Sequence, residues 1–294
     1  MSFCGLPSGP LGPGTRAAIL GVPFDCGLHP DRIGSREGPA AVRRASRWLR
    51  RFPATGSEDA ARGVIDAGDV ALVPGRPARA FPAIEEAAAR LHAAGVVPIG
   101  IGGDGAISLP LLRAAARFHP GLCVIHVDAH TDAYLVDPEE PLNPATQFSH
   151  AASEGILDAE RSWHVGTRGF TYEAGVIART EALGYRVVTT ANLVARGFAQ
   201  TAAEIRETIG DRPAYLCWDM DIFDPSVAPG VCTPAWGGLS AREGLELLHA
   251  LRGPRYVAMD FNTVSPPHDV AEAAAQLCGH MILEAVSLLD RNAR

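Results

Sequence analysis

The fold is decided by one stretch, Leu122-Cys123-Val124-Ile125-His126-Val127-Asp128-Ala129-His130-Thr131-Asp132, in which an apolar run ends in polar residues at alternate positions. Continuous Val, Ile and Leu are typical of a strand buried on both faces of a sheet, so we predict a strand over residues 122–127. If extended backbone persists past its end, Asp128, His130 and Asp132 project to the same side and can share one cation.

Seven similar runs predict further strands, over residues 17–22, 64–66, 96–101, 162–166, 186–189, 214–219 and 255–260. Stretches of helical period lie between them, over residues 39–50, 81–93, 108–118, 198–209, 241–251 and 270–289. Helices between parallel strands form right-handed crossovers. We therefore predict a three-layer α/β/α fold with a mainly parallel eight-stranded sheet, as one domain over residues 15–294. Residues 1–14, rich in Gly and Pro, are predicted to be a flexible lead-in rather than a signal peptide.

The composition excludes several classes of protein. The 294 residues are 47% hydrophobic and 20% charged, as in ordinary globular domains. A formal net charge of −7 argues against nucleic acid and anionic membranes as partners, because both select basic patches. The six cysteines lie far apart without a C-x-x-C pair, which predicts free thiols and a cytoplasmic location. The partner that remains is a small-molecule substrate.

Polar residues follow four of the predicted strands, in Gly102-Gly103-Asp104, Asp128-Ala129-His130, Asp219-Met220-Asp221 and Asp260-Phe261-Asn262. Parallel sheets bind ligands beyond the carboxyl ends of their strands. Four carboxylates and one imidazole would form a hard, oxygen-rich site that suits Mn²⁺, and a cation would relieve their mutual repulsion. The alternative is that these aspartates cap helices and His130 is an ordinary hydrogen-bonded residue. Two such motifs at neighbouring strand ends favour the metal site.

Blocks from nearly end to end of the chain resemble the ureohydrolases, the family of arginase, agmatinase and formiminoglutamase. Residues 128–132 match its D-A-H-x-D motif, and residues 219–230 match D-x-D-x-x-D-P-x-x-A-P-G. Weaker matches are found at residues 21–25, 34–39 and 66–70, and at Thr233-Pro234 and Gly237-Gly238. The spacing of the blocks is most similar to the agmatinase branch.

The resemblance implies two Mn²⁺ ions that share a hydroxide, which attacks a guanidinium or amidine carbon. Asp128 and Asp219 would bridge both ions, while His130 and Asp221 would complete the shell of one. Asp132 would bind the other ion and take part in catalysis. The resemblance also implies a homo-oligomer.

Three positions depart from the family pattern. Its G-G-D-H-S motif, whose histidine binds metal, ends here in Asp104-Gly105-Ala106, so we expect one firmly bound ion and a second that is weak or absent. The family's proton-shuttling histidine aligns with Pro144, which carries no proton. The Glu that pairs with a cationic guanidinium aligns with Thr263, which offers only a hydroxyl.

Other residues are candidates for the lost roles. His150 is predicted to replace the proton shuttle if the preceding loop is rearranged, the alternative being an exposed histidine at a helix start. Substrate contacts are predicted for Thr263, Asn143, Thr146 and Trp236, although Trp236 could equally pack in the core. Cys217 and Cys232 flank the second acidic motif as replacement ligands or nucleophiles, or as ordinary core thiols.

Two functions are consistent with this pattern. The first is a divergent metal-dependent hydrolase that cleaves a C–N bond of a linear amidine or a modified guanidino compound. It would use metal-activated water and would lack ordinary arginase or agmatinase activity. The second is a catalytically silent relative that acts by binding or association. A buried carboxylate cluster is costly without its cation, which favours the enzyme.

Overall fold

One sheet of eight strands forms the centre of the computed structural model, which describes residues 1–26, 32–54 and 57–290. The strands are β1 (Ala17–Val22), β2 (Val64–Asp69), β3 (Val97–Gly102), β4 (Cys123–Val127), β5 (Trp163–Thr167), β6 (Arg186–Thr189), β7 (Pro213–Asp219) and β8 (Arg255–Asn262). They follow the order β2-β1-β3-β8-β7-β4-β5-β6, and every neighbouring pair is parallel.

Helices cover both faces of this sheet. Within the described ranges they are α1 (Gly38–Ser46), α2 (Pro77–Ala93), α3 (Ser108–Phe118), α4 (Gln147–Ser153), α5 (Val176–Ala182), α6 (Thr190–Arg196), α7 (Phe198–Ile209), α8 (Ala241–Ala250) and α9 (Ala273–Val286). Along β1, Ala17 and Ile19 belong to the apolar cluster that includes residues of α1, α7, α8 and α9, whereas Ala18 and Leu20 belong to the cluster that includes residues of α2 and α3. The predicted three-layer α/β/α class is confirmed, with a sheet that is parallel throughout.

The predicted helices differ from the observed ones in number and in several bounds, for example at α2, which begins at Pro77 rather than at residue 81. The helices α4, α5 and α6 were not predicted, because seven residues are too few to show a helical period. Helix α1 ends at Ser46 rather than at residue 50. The Ser46 hydroxyl donates to the carbonyl of Arg43 at 2.7 Å and accepts from the amide of Cys4 at 2.8 Å. Such side-chain bonds to the backbone compete with continuation of a helix.

Part of the predicted flexible lead-in is packed against the domain. Phe3 is 1% exposed and belongs to the same apolar cluster as α1 and α9. Its amide donates to the carboxylate of Asp66 at 2.7 Å, and the amide of Asp66 donates to the carbonyl of Pro7 at 2.9 Å. A buried aromatic ring and these bonds to β2 hold residues 3–8 in place, which corrects the prediction for that segment.

Among the helices of residues 1–26, 32–54 and 57–290, none is both long and apolar enough to span a bilayer.

The packing of Phe3 predicts that Phe3→Ala lowers the free energy of unfolding by about 3–5 kcal/mol, because a buried aromatic side chain is lost and a cavity remains. Urea unfolding followed by circular dichroism measures this. The control is Phe170→Ala, at a fully exposed phenylalanine, which should stay within about 0.5 kcal/mol of the parent protein. Equal stability of the two variants would show that the N-terminal segment is a lead-in after all.

Candidate metal centre

The two acidic motifs meet because their strands are neighbours. Strands β4 and β7 pair in parallel with Val127 opposite Trp218, so the residues that follow each strand share one edge of the sheet. Five predicted ligands gather there, and the four carboxylates are buried while His130 has a 15% exposed side chain; they are Asp128, His130, Asp132, Asp219 and Asp221. All five line one cavity of about 730 Å³.

The first group of possible ligands comprises Asp128, His130 and Asp221. The Nδ1 atom of His130 lies 3.3 Å from Oδ1 of Asp128 and 3.5 Å from Oδ2 of Asp221. The ligand atoms of these three residues all lie within 4.8 Å of one another, so one cation can contact all three residues.

The second group shares Asp128 and adds Asp132, Asp219 and His126. The Nε2 atom of His126 lies 3.1 Å from Oδ2 of Asp128 and 3.6 Å from Oδ1 of Asp219. Burial by itself lowers the pKa of His126, but the two carboxylates outweigh it and raise this pKa to about 10. Sequence reasoning missed His126, although it continues the two-residue spacing of the motif to the N-terminal side.

Three of these atoms are buried without a hydrogen-bond partner among the described residues: Nε2 of His126, Oδ2 of Asp128 and Oδ1 of Asp221. Unpaired buried polar atoms are expensive and rare, so each needs an explanation such as a bound ion. A set of carboxylates with a few imidazoles is the donor chemistry that suits Mn²⁺. The residues therefore fit divalent cations.

Three carboxyl groups of this centre have raised pKa values. Burial and the negative charge of Asp128 raise the pKa of Asp219 to about 6. The same two causes raise the pKa values of Asp132 and Asp221 well above the usual range. A bound divalent cation reverses this balance, because it stabilises the ionised form of every ligand.

The three departures from the family pattern, Gly105, Pro144 and Thr263, all line the same cavity. A Cβ atom at Gly105 would lie 3.0 Å from Nε2 of Gln147 and 3.4 Å from a carboxylate oxygen of Asp132. Gln147 is buried, and its amide donates to Asp132 at 2.6 Å. This glutamine therefore occupies the space in front of Gly105, and no sequence signal pointed to it.

The hydroxyl of Thr263 is engaged with the main chain. It accepts from the amide of Met220 at 2.9 Å and donates to the carbonyl of Asn262 at 2.7 Å. Thr263 also has a φ of +69°, and Asp132 has a φ of +48°. Side chains rarely adopt this left-handed region, and such strain concentrates at ligand-binding sites.

Only one of the other predicted site residues lines the cavity. Asn143 lines the cavity, whereas His150, Thr146 and Trp236 are not among its lining residues. The first turn of α4 directs Nε2 of His150 to the carbonyl of Pro141, 2.7 Å away, and the Thr146 hydroxyl donates to the same carbonyl at 2.9 Å. Trp236 is 75% exposed. The catalytic role predicted for His150 and the substrate contacts predicted for Thr146 and Trp236 therefore lack the necessary position.

Neither candidate cysteine is poised as a nucleophile. Cys232 lines the cavity with its sulfur 2.6 Å from the Ser35 hydroxyl, and Cys217 is buried beside Asp219 and Asp260. Burial, reinforced by nearby carboxylates, raises the pKa of both thiols well above the usual value. Because the thiolate is the reactive form, neither thiol is suited to act as a nucleophile. The sulfur of Cys217 does lie within 4.8 Å of ligand atoms of His126 and Asp219, so its predicted role as a replacement ligand stays open.

These features define an open parallel α/β protein with a candidate metal centre at the carboxyl edge of its sheet. The model of the arginase family matches residues 15–287, and the chain belongs to this family. A guanidinopropionase of Pseudomonas aeruginosa is 35% identical over 95% of this chain and 88% of its own length. An agmatinase of Neisseria meningitidis is 36% identical over 92% and 86%, respectively. These relatives confirm the predicted ureohydrolase resemblance near the agmatinase branch.

The solved structures support the same assignment. Proclavaminate amidino hydrolase from Streptomyces clavuligerus superimposes with a TM-score of 0.94, at 31% identity over 99% of this chain and 97% of that one. The arginase-like fold is thereby shown.

The carboxylate repulsion predicts a pH-dependent response to Mn²⁺. The pKa of Asp219 is raised in the folded state, so its destabilising effect appears as pH rises through about 6, and a cation removes it. Mn²⁺ at about 100 times its Kd should raise Tm by about 5–10 °C at pH 7.5, and by less than half of that at pH 5.5. Differential scanning calorimetry with and without EDTA measures both shifts. Asp219→Asn should flatten the pH dependence, and a shift independent of pH would contradict the assignment.

Proposed function

We propose that this protein is a divalent-cation-dependent hydrolase that cleaves a C–N bond of a small amidino or guanidino compound. The observation that carries the proposal is the pair of ligand groups that share Asp128 at the wall of a cavity. The names of its relatives support it, since guanidinopropionase, agmatinase and proclavaminate amidino hydrolase all describe action on an amidino group.

The ligands of the centre would be Asp128, His130, Asp132, Asp219 and Asp221. The hard donor set favours Mn²⁺, which would supply an activated water as the nucleophile and charge stabilisation at the reacting carbon. Asp132 would hold the proton released as the water attacks. The bond from Gln147 fixes the orientation of its carboxylate for that role.

The cavity wall argues for a substrate other than arginine or agmatine. Thr263 provides no carboxylate to clamp a guanidinium cation, and its hydroxyl is already bonded to the main chain. Pro144 cannot deliver a proton to a strongly basic leaving amine. We therefore propose a linear amidine or a modified guanidino compound, whose reacting group is less cationic and whose leaving group needs less protonation.

The mouth of the cavity adds a preference for the distal part of the substrate. Asp137 and Glu140 line the cavity and are exposed, and no ion pair is found for either one among the described residues. Asp25 and Glu173 also line it but are already paired with Arg36 and Arg179. Arg32 also lines the cavity, and its guanidinium is bonded to the carbonyls of Pro229 and Val231. A distal part that carries a cationic and an anionic group therefore finds a partner of opposite charge for each.

A catalytically silent relative is the second candidate, because the altered positions Gly105, Pro144 and Thr263 all face this one cavity. A silent relative would bind Mn²⁺ or a ligand without turnover, which distinguishes it from the enzyme in a direct assay.

From the family resemblance we also propose that residues 15–294 act as one domain, and that the protein forms a homo-oligomer in the cytoplasm.

Turnover of a substrate panel by Mn²⁺-loaded protein tests the proposal. Linear amidines, substituted guanidines and hydroxyguanidines should be hydrolysed faster than arginine or agmatine, with release of the amine followed by mass spectrometry. Asp128→Asn should lower the rate at least about 100-fold, because it removes a ligand common to both groups. His249→Asn, at an exposed histidine of α8, is the matched control and should retain full activity. Metal-containing protein that turns over nothing would establish the silent relative.

The role of position 263 has a separate test. Thr263→Glu should raise kcat/KM for agmatine by about 10-fold over Thr263→Gln, because the two side chains match in size and only Glu pairs with a guanidinium. Steady-state kinetics on both variants measures the ratio. Equal values would show that the carboxylate at this position does not reach the guanidinium, and the alignment of Thr263 would be in error.

A further inference from the structure

His126 faces the second ligand group from the interior of the sheet. It lies on β4 with a side chain that is fully buried, and its Nε2 is 3.1 Å from Oδ2 of Asp128. Within the part of the chain that the structure describes, neither of these two atoms has a hydrogen-bond partner, although they are close enough to bond to each other. The ring N–H direction therefore does not fall on the carboxylate oxygen. Two ligands of one cation show this arrangement, because both point at the ion and not at each other.

The opposite nitrogen of the same ring has a partner that fixes its orientation. The Nδ1 atom of His126 lies 2.8 Å from Nδ1 of His164, its neighbour across the β4–β5 pair. His164 is held by edge-to-face contacts with Phe148 and Tyr185. A histidine that binds metal through one nitrogen usually donates its other N–H to a fixed acceptor. Once a cation displaces the proton from Nε2, Nδ1 of His126 can donate to His164 while Nε2 presents its lone pair to the ligand group.

The other side of the centre cannot supply an imidazole. Gly105 has no side chain, and the amide of Gln147 fills the space into which one would extend. The ligand atoms of His126, Asp128, Asp132 and Asp219 nevertheless all lie within 4.8 Å of one another. Three carboxylate oxygens and one ring nitrogen are enough to hold a divalent cation.

We propose that Nε2 of His126 is the fourth ligand of a second divalent cation, held with Asp128, Asp132 and Asp219, and that it replaces the imidazole missing at Gly105. The proposal rests on the metal-dependent function proposed above. Each ion then has one imidazole, His126 for the second and His130 for the first. The second site, which the sequence predicted to be weak or absent, is a complete site with its nitrogen ligand moved from the β3 end to β4.

The number of metal ions bound per chain tests the proposal directly. Protein loaded with Mn²⁺ and freed of excess metal should contain about two ions per chain by plasma mass spectrometry, and His126→Asn should contain about one. The matched control is His92→Asn, at a buried histidine of α2 outside the cavity, which should retain both ions. His164→Gln should weaken the second ion by about 10–100-fold, as expected for a positioning residue behind a metal ligand.

The possible outcomes separate this inference from the proposed function. Parent protein and His126→Asn with the same single ion would overturn the role of His126 and leave the hydrolase intact. Parent protein without metal would overturn the metal-dependent function itself.

A crystal structure of the Mn²⁺-loaded parent protein decides the question even if His126→Asn does not fold. Anomalous scattering should place an ion within about 2.5 Å of Nε2 of His126, in the range of metal–nitrogen bonds. An ion bound by Asp132 and Asp219 but more than about 3 Å from that nitrogen would overturn the proposal. It would leave His126 as a charged partner of Asp128.

Discussion

Four buried carboxylates on two neighbouring strands repel one another, and the cavity end of the molecule is organised around that repulsion. Asp128 directly follows β4 and Asp219 is the last residue of β7. Asp132 lies four residues after Asp128, and Asp221 lies two residues after Asp219. Burial, together with the negative charge of Asp128, raises the pKa values of Asp132, Asp219 and Asp221 above the usual range. Cations bound at the shared edge would turn this cost into binding energy.

The sheet holds these residues in place through a buried polar network behind them. Asn262 at the end of β8 donates to Asp219 at 3.0 Å and to Asp260 at 2.7 Å. Asp260 also accepts from the hydroxyl of Tyr215. Partners of this kind orient the ligands of a metal centre and keep a costly cluster in one arrangement. The rigid parallel sheet therefore supplies both the position and the orientation of the site.

The three departures from the family pattern all line the cavity of the candidate metal centre. The loss of the side chain at Gly105 leaves room that the Gln147 amide fills, and that amide then bonds to Asp132. The imidazole lost on one side is matched by His126 on the other, 3.1 Å from Asp128. Thr263 is the change that bears on substrate, because it removes the carboxylate that a guanidinium would need.

The sequence by itself determined the α/β fold with a mainly parallel sheet, the family, and five acidic and imidazole residues near the ends of β4 and β7 as candidate ligands. Those features are local: continuous apolar runs, alternate spacing and long motifs are each contained within a few residues. The tertiary structure decided the rest. Gly105 and Gln147 meet although they are 42 positions apart, and the short α4 directs His150 toward Pro141 and away from the cavity. His126 carried a visible spacing signal, but only the pairing of β4 with β5 and β7 shows which of its nitrogens faces the carboxylates. Contacts between distant segments and the rotation of a seven-residue helix depend on packing, which no local pattern encodes.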